Sequence, residues 1–388
     1  MTPDKEIDIV YERQWSSLGN LVVALSRQNR FGRLYGGFPK WRYVAAGIPS
    51  QKIRAFPVAA LWNYCVGKTP FGTAINLEEP KWVGNWVAGH RDLAPTIISN
   101  GTAHRYLFPK LKSSGRTLVL ERGSMYPLDY FRLHQYARKD AGYSHKNDPP
   151  SAILDELEKT KLADFIIAGS QMVRKSYIDN GHSTDRVFDC SYGIDIHAYP
   201  YVVRQQAIDR AIRIAVVGVI GFRKGLFRLL KMGDWAQRKG IKLEIHFAGP
   251  VQDPESYEMF EKSRAVCIRH GTIKGDRLKS LLADCDLYAL PSYEEGLPFS
   301  VLEAMSTGLA AIVSNDTGAR EPVQHEKSGL VLHRFDDDEF DDELEPVLRN
   351  PERILAMGRA ARERILENYT VEHYCERIAI ALEVIAKR

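Results

Sequence analysis

The chain has 388 residues, of which 44% are hydrophobic and 26% charged, and it carries a formal net charge of +4 at pH 7. These ordinary globular values exclude a disordered, collagen-like or disulfide-scaffold protein. The length, about two to three times that of a usual single domain, predicts a two-domain, enzyme-sized protein. The longest apolar run, around residues 214–222, is too short to cross a bilayer. The first residues contain acids where a signal peptide would be basic, so a cytoplasmic protein is predicted.

Charge is distributed unevenly along the chain. Residues 1–150 contain 21 Lys and Arg against 11 Asp and Glu, whereas residues 151–388 contain 32 against 38. Five of the six tryptophans also lie in the basic stretch. A basic, aromatic surface can meet nucleic acid, an anionic membrane face or an anionic substrate, but solvated cations and core tryptophans explain the same composition. The five cysteines lack CxxC spacing, which indicates reduced core residues and neither a disulfide framework nor a zinc site.

Short β-branched runs alternate with helical stretches of about 10 to 16 residues, which is the pattern of parallel sheets built from βαβ units. In the first half, strands are predicted at DIVYE, PTIISN, TLVLERG, DFIIAGS and VFDCSYG, while residues 30–90 give no clear assignment. In the second half, strands are predicted at IRIAVVGVI, LEIHFAG, AVCIRHG, DLYALPS, AAIVS and GLVL. A helix over 224–240 follows the first of these. We therefore expect an α/β protein with two sheets.

The apolar periodicity lapses between residues 192 and 212, where a linker is expected. We place the domain boundary near residue 205, with one domain over residues 1–205 and a second over residues 206–370. A final helix from Val371 carries a single apolar stripe. Residues 371–388 are expected to pack back on the first domain.

The segment PSYEEGLPFSVLEAMSTG combines acids, glycine and a helix start. Its last proline and last glycine have the spacing of a first-turn proline and a glycine just past a helix end, which predicts a helix over 298–307. The backbone N–H groups at the helix start, beside Gly296, favour an anion. Glu295 and Glu303 lie about two turns apart and can accept hydrogen bonds from sugar or ribose hydroxyls at the strand ends. Glutamates near a helix start also occur simply to complement the helix dipole.

The second informative segment, GVIGFRKG, joins the strand over 212–220 to the following helix. Its glycine spacing fits neither the dinucleotide fingerprint GxGxxG nor the P-loop. Arg223 and Lys224 lie where the strand ends and the helix begins, a place suited to clamping a diphosphate and neutralising its charge as a bond to it breaks. Two surface cations at a helix start explain the same residues, although cations there oppose the helix dipole.

The pairing of these segments, about 70 residues apart, resembles the carboxyl-terminal domain of retaining glycosyltransferases of family 4, also called group 1, with the GT-B fold. The resemblance covers about residues 160–370 and rests on FIIAGSQMVRKSYIDNG, SYGID, GVIGFRKG, FAGP, LLADCDLYALPS, EGLPFSVLEAMSTG, TGARE and SGLV. It implies two Rossmann-like, doubly wound α/β domains that face each other across a cleft. The first would bind the acceptor and the second the nucleotide-sugar donor.

The resemblance implies roles for individual residues. Lys224 would contact the donor's pyrophosphate, with Arg223 as a helper. Glu295 would hold the transferred sugar and phosphate, and Glu303 would bind the ribose. The family usually has an arginine where this chain has Val219, so one phosphate contact is missing unless Arg223 replaces it. Further donor-binding residues are expected at Gly19, Gly218, Gly221, Gly296, Leu297, Pro298 and Phe299.

The first half of such enzymes supplies the acceptor site, a glycine-rich turn after the first strand and often a histidine near the reacting centre. The turn is expected at Ser16, Ser17 and Gly19. His104, which follows the strand TIISN, is the expected catalytic-site histidine, although a lone helical histidine is also commonly structural. The next strand ends in ERGS, where the family commonly has histidine, so Arg122 or Ser124 is expected to substitute there.

The resemblance further implies retention of the anomeric configuration, with the acceptor hydroxyl attacking from the leaving-group face and the departing phosphate taking its proton. Lys224, Arg223 and the helix amides would stabilise the charge that builds on the β-phosphate. The run Asp284-Cys285-Asp286 spells the DxD motif of metal-dependent transferases, but it precedes a strand, which places it away from the cleft. We expect no metal and no cofactor, with a UDP- or GDP-sugar as the donor substrate.

Two other functions fit the same fold: a nucleotide-sugar epimerase or hydrolase, and a non-catalytic nucleotide-sugar or glycan-binding module. An NAD-dependent dehydrogenase is disfavoured by the glycine spacing. No nucleic-acid-binding motif is present, so no nucleic-acid partner is expected.

The basic first domain suggests a glycan or lipid-linked acceptor at the inner membrane face, in bacterial-type surface polysaccharide or glycolipid synthesis. The segment AHRYLFPKLKSSGR mixes cations with large apolar residues as a peripheral, interfacial helix does. The residues expected to contact the membrane or the acceptor are Arg105, Lys110, Lys112, Arg116 and Arg122.

Overall fold

The computed structural model describes residues 6–11, 17–58, 70–204 and 210–387. Contacts divide the chain into two compact units. The first comprises Met1–Leu128, Pro149–Ser191 and Tyr374–Arg388, and the second comprises Asp129–Asp148 and Tyr192–His373. Each unit is therefore built from more than one stretch of the chain.

The first unit contains a seven-stranded parallel sheet in the order β3-β2-β1-β4-β5-β6-β7. Its strands are Ile7–Tyr11 (β1), Phe31–Gly36 (β2), Ile53–Ala55 (β3), Thr96–Asn100 (β4), Thr117–Arg122 (β5), Phe165–Ala168 (β6) and Val187–Asp189 (β7). Helices connect successive strands: Leu18–Arg27 (α1), Lys40–Ala45 (α2), Pro70–Ala88 (α3), His104–Leu111 (α4), Pro127–Asp140 (α5), Ser151–Thr160 (α6) and Gln171–Asp179 (α7). Helix α5 groups with the second unit from Asp129 onward.

The second unit contains a six-stranded parallel sheet in the order β10-β9-β8-β11-β12-β13. Its strands are Ile212–Val217 (β8), Leu243–Ala248 (β9), Val266–Gly271 (β10), Leu287–Leu290 (β11), Ala310–Ser314 (β12) and Gly329–Leu332 (β13). The helices are Leu226–Arg238 (α8), Pro254–Lys262 (α9), Asp276–Asp284 (α10), Phe299–Ser306 (α11), Asp337–Glu339 (α12), Glu345–Leu348 (α13), Pro351–Asn368 (α14) and Val371–Ile385 (α15), whose end lies in the first unit.

The central strands are nearly continuous apolar runs because helices cover both faces of a parallel sheet. In the first unit, Ile97, Ile98 and the run Leu118–Leu120 are fully buried. The core of the second unit gathers Trp235, Phe247 and the inward residues of β8 and β12. These two cores hold the strand ends, and hence the loops after them, in fixed positions.

Strands β8 and β11 are neighbours in the second sheet, but the sheet grows from them in opposite directions. Such a topological switch point leaves a crevice at the carboxyl ends of the two strands, which is where open α/β sheets bind ligands. The loop after β8 carries GVIGFRKG and the loop after β11 carries PSYEEGLP. The fold therefore places both sequence motifs at the expected binding position.

The predicted fold class, two Rossmann-like α/β domains, is confirmed by the two parallel sheets. Strands β2 and β3 were not predicted. Residues 129–148 and 192–204 group with the second unit, whereas the sequence assigned them to the first domain, and the boundary near residue 205 falls outside the described residues. Residues 374–388 group with the first unit. Within the described ranges, no helix combines the length and the apolar character that a membrane span requires.

Candidate functional site

The loop after β8 folds around glycines that allow close backbone approach. Gly218 has a φ of +131° and Gly225, which precedes α8, has a φ of +76°, both in a region that favours glycine. A Cβ on Gly225 would overlap the carbonyl oxygen of Pro291, and one on Gly249 would overlap that of Gly218. The glycines therefore let the loop pack directly on the chain that leads to Glu295.

Arg223, Lys224 and Glu295, predicted from separate motifs, meet in this crevice. The Arg223 guanidinium Nη1 lies 2.6 Å from Glu295 Oε1, and Lys224 Nζ forms an ion pair with the same oxygen. Arg223 Nη1 also lies 3.1 Å from Glu294 Oε2 and donates to the Glu294 carbonyl at 2.9 Å. Two cations and two acids thus form one compact cluster.

The cluster determines the charge of Glu295. Burial alone would raise the pKa of this carboxyl, but Lys224 and Arg223 outweigh burial and hold it below its usual range. Burial would likewise lower the pKa of Arg223, whereas Glu295 and Glu294 raise it. Glu295 and Arg223 are therefore charged at neutral pH. A bound diphosphate would have to share the two cations with Glu295.

Glu303 lies on α11 in a different environment. Its partner is the Tyr199 hydroxyl, and burial raises the pKa of the carboxyl against the effect of that hydrogen bond. Both Glu303 and Glu295 act electrostatically on the fully buried Tyr288 hydroxyl, which donates to Ser300 Oγ at 2.8 Å. Both acids of the motif therefore lie within electrostatic range of the same buried hydroxyl.

The predicted helix begins at Phe299, directly after Pro298, and ends at Ser306, with Gly308 at a φ of +88° beyond it. Gly296 and Leu297 are buried in the turn before the helix. The Glu295 carbonyl accepts a hydrogen bond from Gly318 N at 3.0 Å. This bond ties the turn to the loop after β12.

Val219 and Gly221 lie in the loop after β8, beside a small pocket that Gly218 and Lys224 also line. Val219 is 40% exposed and offers no charge. The Arg223 side chain pairs with Glu294 and Glu295. Position 219 therefore contributes no cation to the loop.

His104 is not available to a substrate, so its expected catalytic role is wrong. The side chain is fully buried, with Nδ1 3.1 Å from the Gly101 carbonyl and Nε2 3.4 Å from Thr160 Oγ1. Burial, followed by the charge of Arg122, lowers the pKa of His104 to about 3. It is a neutral core histidine.

Arg122, expected at the acceptor site, is likewise structural. Its guanidinium lies 2.9 Å from Glu156 Oε1 and donates to the Gly101 carbonyl at 3.3 Å. Gly19 lies in the first turn of α1 with open space around it, and Ser17 precedes that helix. Ser16 lies outside the described residues.

The segment expected to be an interfacial helix packs its apolar side into the first unit, because Leu107, Phe108 and Leu111 are buried. Three of its four cations are also engaged by protein groups. Arg105 pairs with Asp155 at 2.7 Å, Lys112 donates to the Leu162 carbonyl at 3.0 Å, and Arg116 donates to the Leu93 carbonyl at 3.3 Å. Lys110 is exposed. The apolar residues that would enter a membrane are therefore already in the core.

Asp286 of the DxD run lies at the amino end of β11, opposite the motif loops. Its carboxylate pairs with Arg210 at 2.6 Å and accepts from Arg213 N at 2.9 Å, so it anchors strand β8. Among the residues that the structure describes, no three His, Cys, Asp or Glu side chains stand together as metal ligands.

Several site residues were not predicted. Glu294, the neighbour of Glu295, was not predicted as a site residue, although its side chain is almost fully buried and pairs with Arg223. Tyr199 lies in the segment interpreted as a linker, and Tyr130 faces Arg223 with its ring centroid 6.0 Å from the guanidinium carbon. The double acid in PSYEEG was the available signal for Glu294. Nothing in the local sequence indicates the positions of the two tyrosines.

Residues 203–364 match the family described as glycosyl transferases group 1. This part of the chain is similar to that family. The matched range covers β8 to β13 and every residue of the cation–acid cluster. The matched range lies within the second unit, which we call the glycosyl transferase domain.

Curated relatives are also similar to part of this chain. The chain is 32% identical to a sulfoquinovosyl transferase of Arabidopsis thaliana over 38% of this chain and 28% of that protein. It is 32% identical to a GDP-mannose-dependent phosphatidylinositol monomannoside mannosyltransferase of Mycobacterium tuberculosis over 28% of this chain and 30% of that one. The match spans less than half the length of the curated relatives compared.

Solved structures share the whole fold with this chain. A sucrose-phosphate synthase from Thermosynechococcus elongatus has a TM-score of 0.73 at 15% identity, covering 99% of this chain and 100% of that one. Anabaena HepE, solved in complex with UDP and glucose, has a TM-score of 0.68 at 16% identity, covering 98% of this chain and 99% of that one. The glycosyl transferase domain and the first unit thus both have counterparts in GT-B proteins.

Proposed function

We propose that the protein is a retaining glycosyltransferase that moves a sugar from a nucleotide-diphosphate sugar, UDP- or GDP-linked, to a glycan or lipid-linked acceptor. One observation carries the proposal. Arg223 and Lys224 from one loop converge on Glu295 from another, at the switch point of a domain that matches the group 1 glycosyl transferases. The UDP and glucose in the complex of Anabaena HepE support the choice of donor class.

The leaving group explains why two cations are needed. As the sugar–phosphate bond breaks, negative charge builds on the β-phosphate, and Lys224 and Arg223 would donate charged hydrogen bonds to it. The backbone N–H groups at the start of α11 would add their partial positive charge. Preorganised donors of this kind neutralise the departing phosphate without a metal ion. The departing phosphate would accept the proton of the attacking acceptor hydroxyl, which fits a retaining reaction.

The two acids would have separate tasks. Glu295 is held ionised between the cations and would orient the transferred sugar by accepting its hydroxyl protons. Glu303, which bonds Tyr199, would bind the ribose hydroxyls. Because a ribose offers two adjacent donors, a carboxylate can accept both.

Binding of nucleotides tests the donor assignment. Calorimetric titration of UDP, GDP, ADP and TDP should show one preferred diphosphate. Lys224→Met should weaken its binding about tenfold to a hundredfold, since a hydrogen bond to a charged group contributes roughly 1.5–3 kcal/mol. Lys242→Met, which removes an exposed cation of the same unit, is the matched control. Equal affinities of both variants would contradict the assignment.

Turnover separates the proposal from the two other functions. A transferase needs an acceptor, whereas a nucleotide-sugar epimerase or hydrolase forms product from the donor alone. A binding module would lose only affinity in Glu295→Gln, whereas a transferase would lose nearly all turnover. The discriminating assay therefore follows the donor by chromatography, with and without a panel of glycan and lipid-linked acceptors. The cytoplasmic location and the bacterial-type surface polysaccharide or glycolipid role stay predictions.

A further inference from the structure

Residues 129–148, which we call the strap, connect two parts of the first unit but belong to the second. The residues on either side, Leu128 and Pro149, both group with the first unit. The strap holds to the glycosyl transferase domain through Arg138, which pairs with Glu255 at 2.9 Å, and Tyr143, whose ring meets Phe222 at 5.2 Å. Phe222 directly precedes Arg223. The strap therefore packs against the loop that carries the two cations.

The strap also reaches the loop that carries the acids. Asp140 accepts a hydrogen bond from the hydroxyl of Tyr293, and the ring of Tyr136 meets that of Tyr293 at 5.9 Å. The Arg228 guanidinium lies 3.7 Å from the Tyr293 ring centroid, and the backbone N of Tyr293 donates to the Arg223 carbonyl at 2.9 Å. Tyr293 is 2% exposed. Contacts therefore fix the positions of the ring, the hydroxyl and the backbone of Tyr293.

Tyr293 is followed directly by Glu294 and Glu295, so its position sets the backbone from which both acids project. A hydroxyl–carboxylate hydrogen bond is charge-assisted and therefore among the stronger side-chain bonds. On the other side of the site, Tyr130 of the strap lies against Arg223. A segment from the first half of the chain thus contacts both halves of the cation–acid cluster.

We propose that the strap is a positioning element of the donor site, in which Asp140, through Tyr293, holds the loop that presents Glu294 and Glu295. The proposal rests on the proposed function for the identity of the ligand, but not for the contact itself. Asp140 and Tyr293 are positioning residues, since they act through the acids and not on the substrate.

Hydrogen–deuterium exchange of the full chain tests the contact without any ligand. Tyr293→Phe removes the hydroxyl but keeps the ring on Arg228, and Asp140→Ala removes the acceptor at an exposed position. Each should raise amide exchange of residues 292–297 about fivefold, and the double variant should add nothing further, because both lose the same bond. Tyr143→Phe is the matched control, as its hydroxyl bonds the Glu255 carbonyl at 3.4 Å instead.

Unchanged exchange in the Tyr293 and Asp140 variants, or an equal rise in Tyr143→Phe, would overturn the proposal. Steady-state kinetics then test whether the contact between Asp140 and Tyr293 affects turnover. Both single variants should lower kcat about tenfold while the KM for the donor changes less than threefold, since Glu303 and the start of α11 still hold the nucleotide. A wild-type protein that binds no nucleotide sugar would refute the proposed function only. Wild-type turnover in both variants would refute the strap's role only.

Discussion

Replacing Glu295 by glutamine should destabilise the second unit, whereas the same change at Glu303 should not. Glu295 is the shared partner of Lys224 and Arg223, and its side chain is 10% exposed. Removing one partner of a buried pair costs about 3–5 kcal/mol because the other charge stays buried without compensation. Arg223 keeps Glu294 and both cations are partly exposed, so we expect about 2–3 kcal/mol here.

Among the residues that the structure describes, no cation shifts the pKa of Glu303 in this way. Burial raises the pKa of its carboxyl, so the ionised form is disfavoured in the folded protein and glutamine removes that cost. Tyr199 can still donate to the glutamine oxygen. Glu303→Gln should therefore leave the free energy of unfolding equal or higher at pH 7. Glutamine substitutions at the two acids of one motif are therefore expected to affect the free energy of unfolding differently.

Urea unfolding followed at pH 7 and at lower pH measures both effects. The folded-state pKa of Glu295 lies below its usual value, so its stabilisation is present above the unfolded-state pKa and is lost as pH falls through the folded-state pKa. The gap between wild type and Glu295→Gln should therefore close in acid. The reasoning would be refuted if both glutamine variants shifted the urea midpoint equally, or if the gap persisted below the folded-state pKa of Glu295.

Three further outcomes are expected. Gly249→Ala should lower the free energy of unfolding by about 1–3 kcal/mol or more and weaken nucleotide binding, because the new Cβ would overlap the Gly218 carbonyl oxygen; urea unfolding and calorimetry measure this. His104→Gln should leave turnover intact. The folded-state pKa of His104, about 3, lies below the unfolded-state value, so the wild type loses stability as pH falls from about 6.5 toward 3. The variant should lack this loss of stability in acid. Asp286→Asn should reduce stability by breaking the Arg210 pair without changing the metal dependence of transfer, which assays with and without EDTA would check.

The sequence predicted the second unit well because its chemistry is local. GVIGFRKG and PSYEEGLP each lie on one loop, and the order of strands brings the loops together. The helix after Pro298 was likewise predicted to within a residue at each end. Loops and helix ends that are specified by residue spacing and turn chemistry within a short segment could therefore be predicted.

The first half was predicted less well for three physical reasons. Strand β2 contains two glycines and β3 has only three residues, so neither gives a clear strand pattern. His104 has the right residue type after a strand, but burial is decided by tertiary packing. The strap contacts depend on pairs such as Asp140 and Tyr293, which are 153 positions apart. No local pattern encodes a pairing at that separation.

The interleaving of the two units has a consequence for biosynthesis. A ribosome releases residues 129–148 before any of the surface that they cover, which comes from residues 192–373. The first unit is similarly incomplete until residues 374–388 have been synthesised. Domains usually fold in order as they emerge, but here neither unit can finish early. A gene divided between residues 191 and 192 would leave each fragment without a part of its own structure.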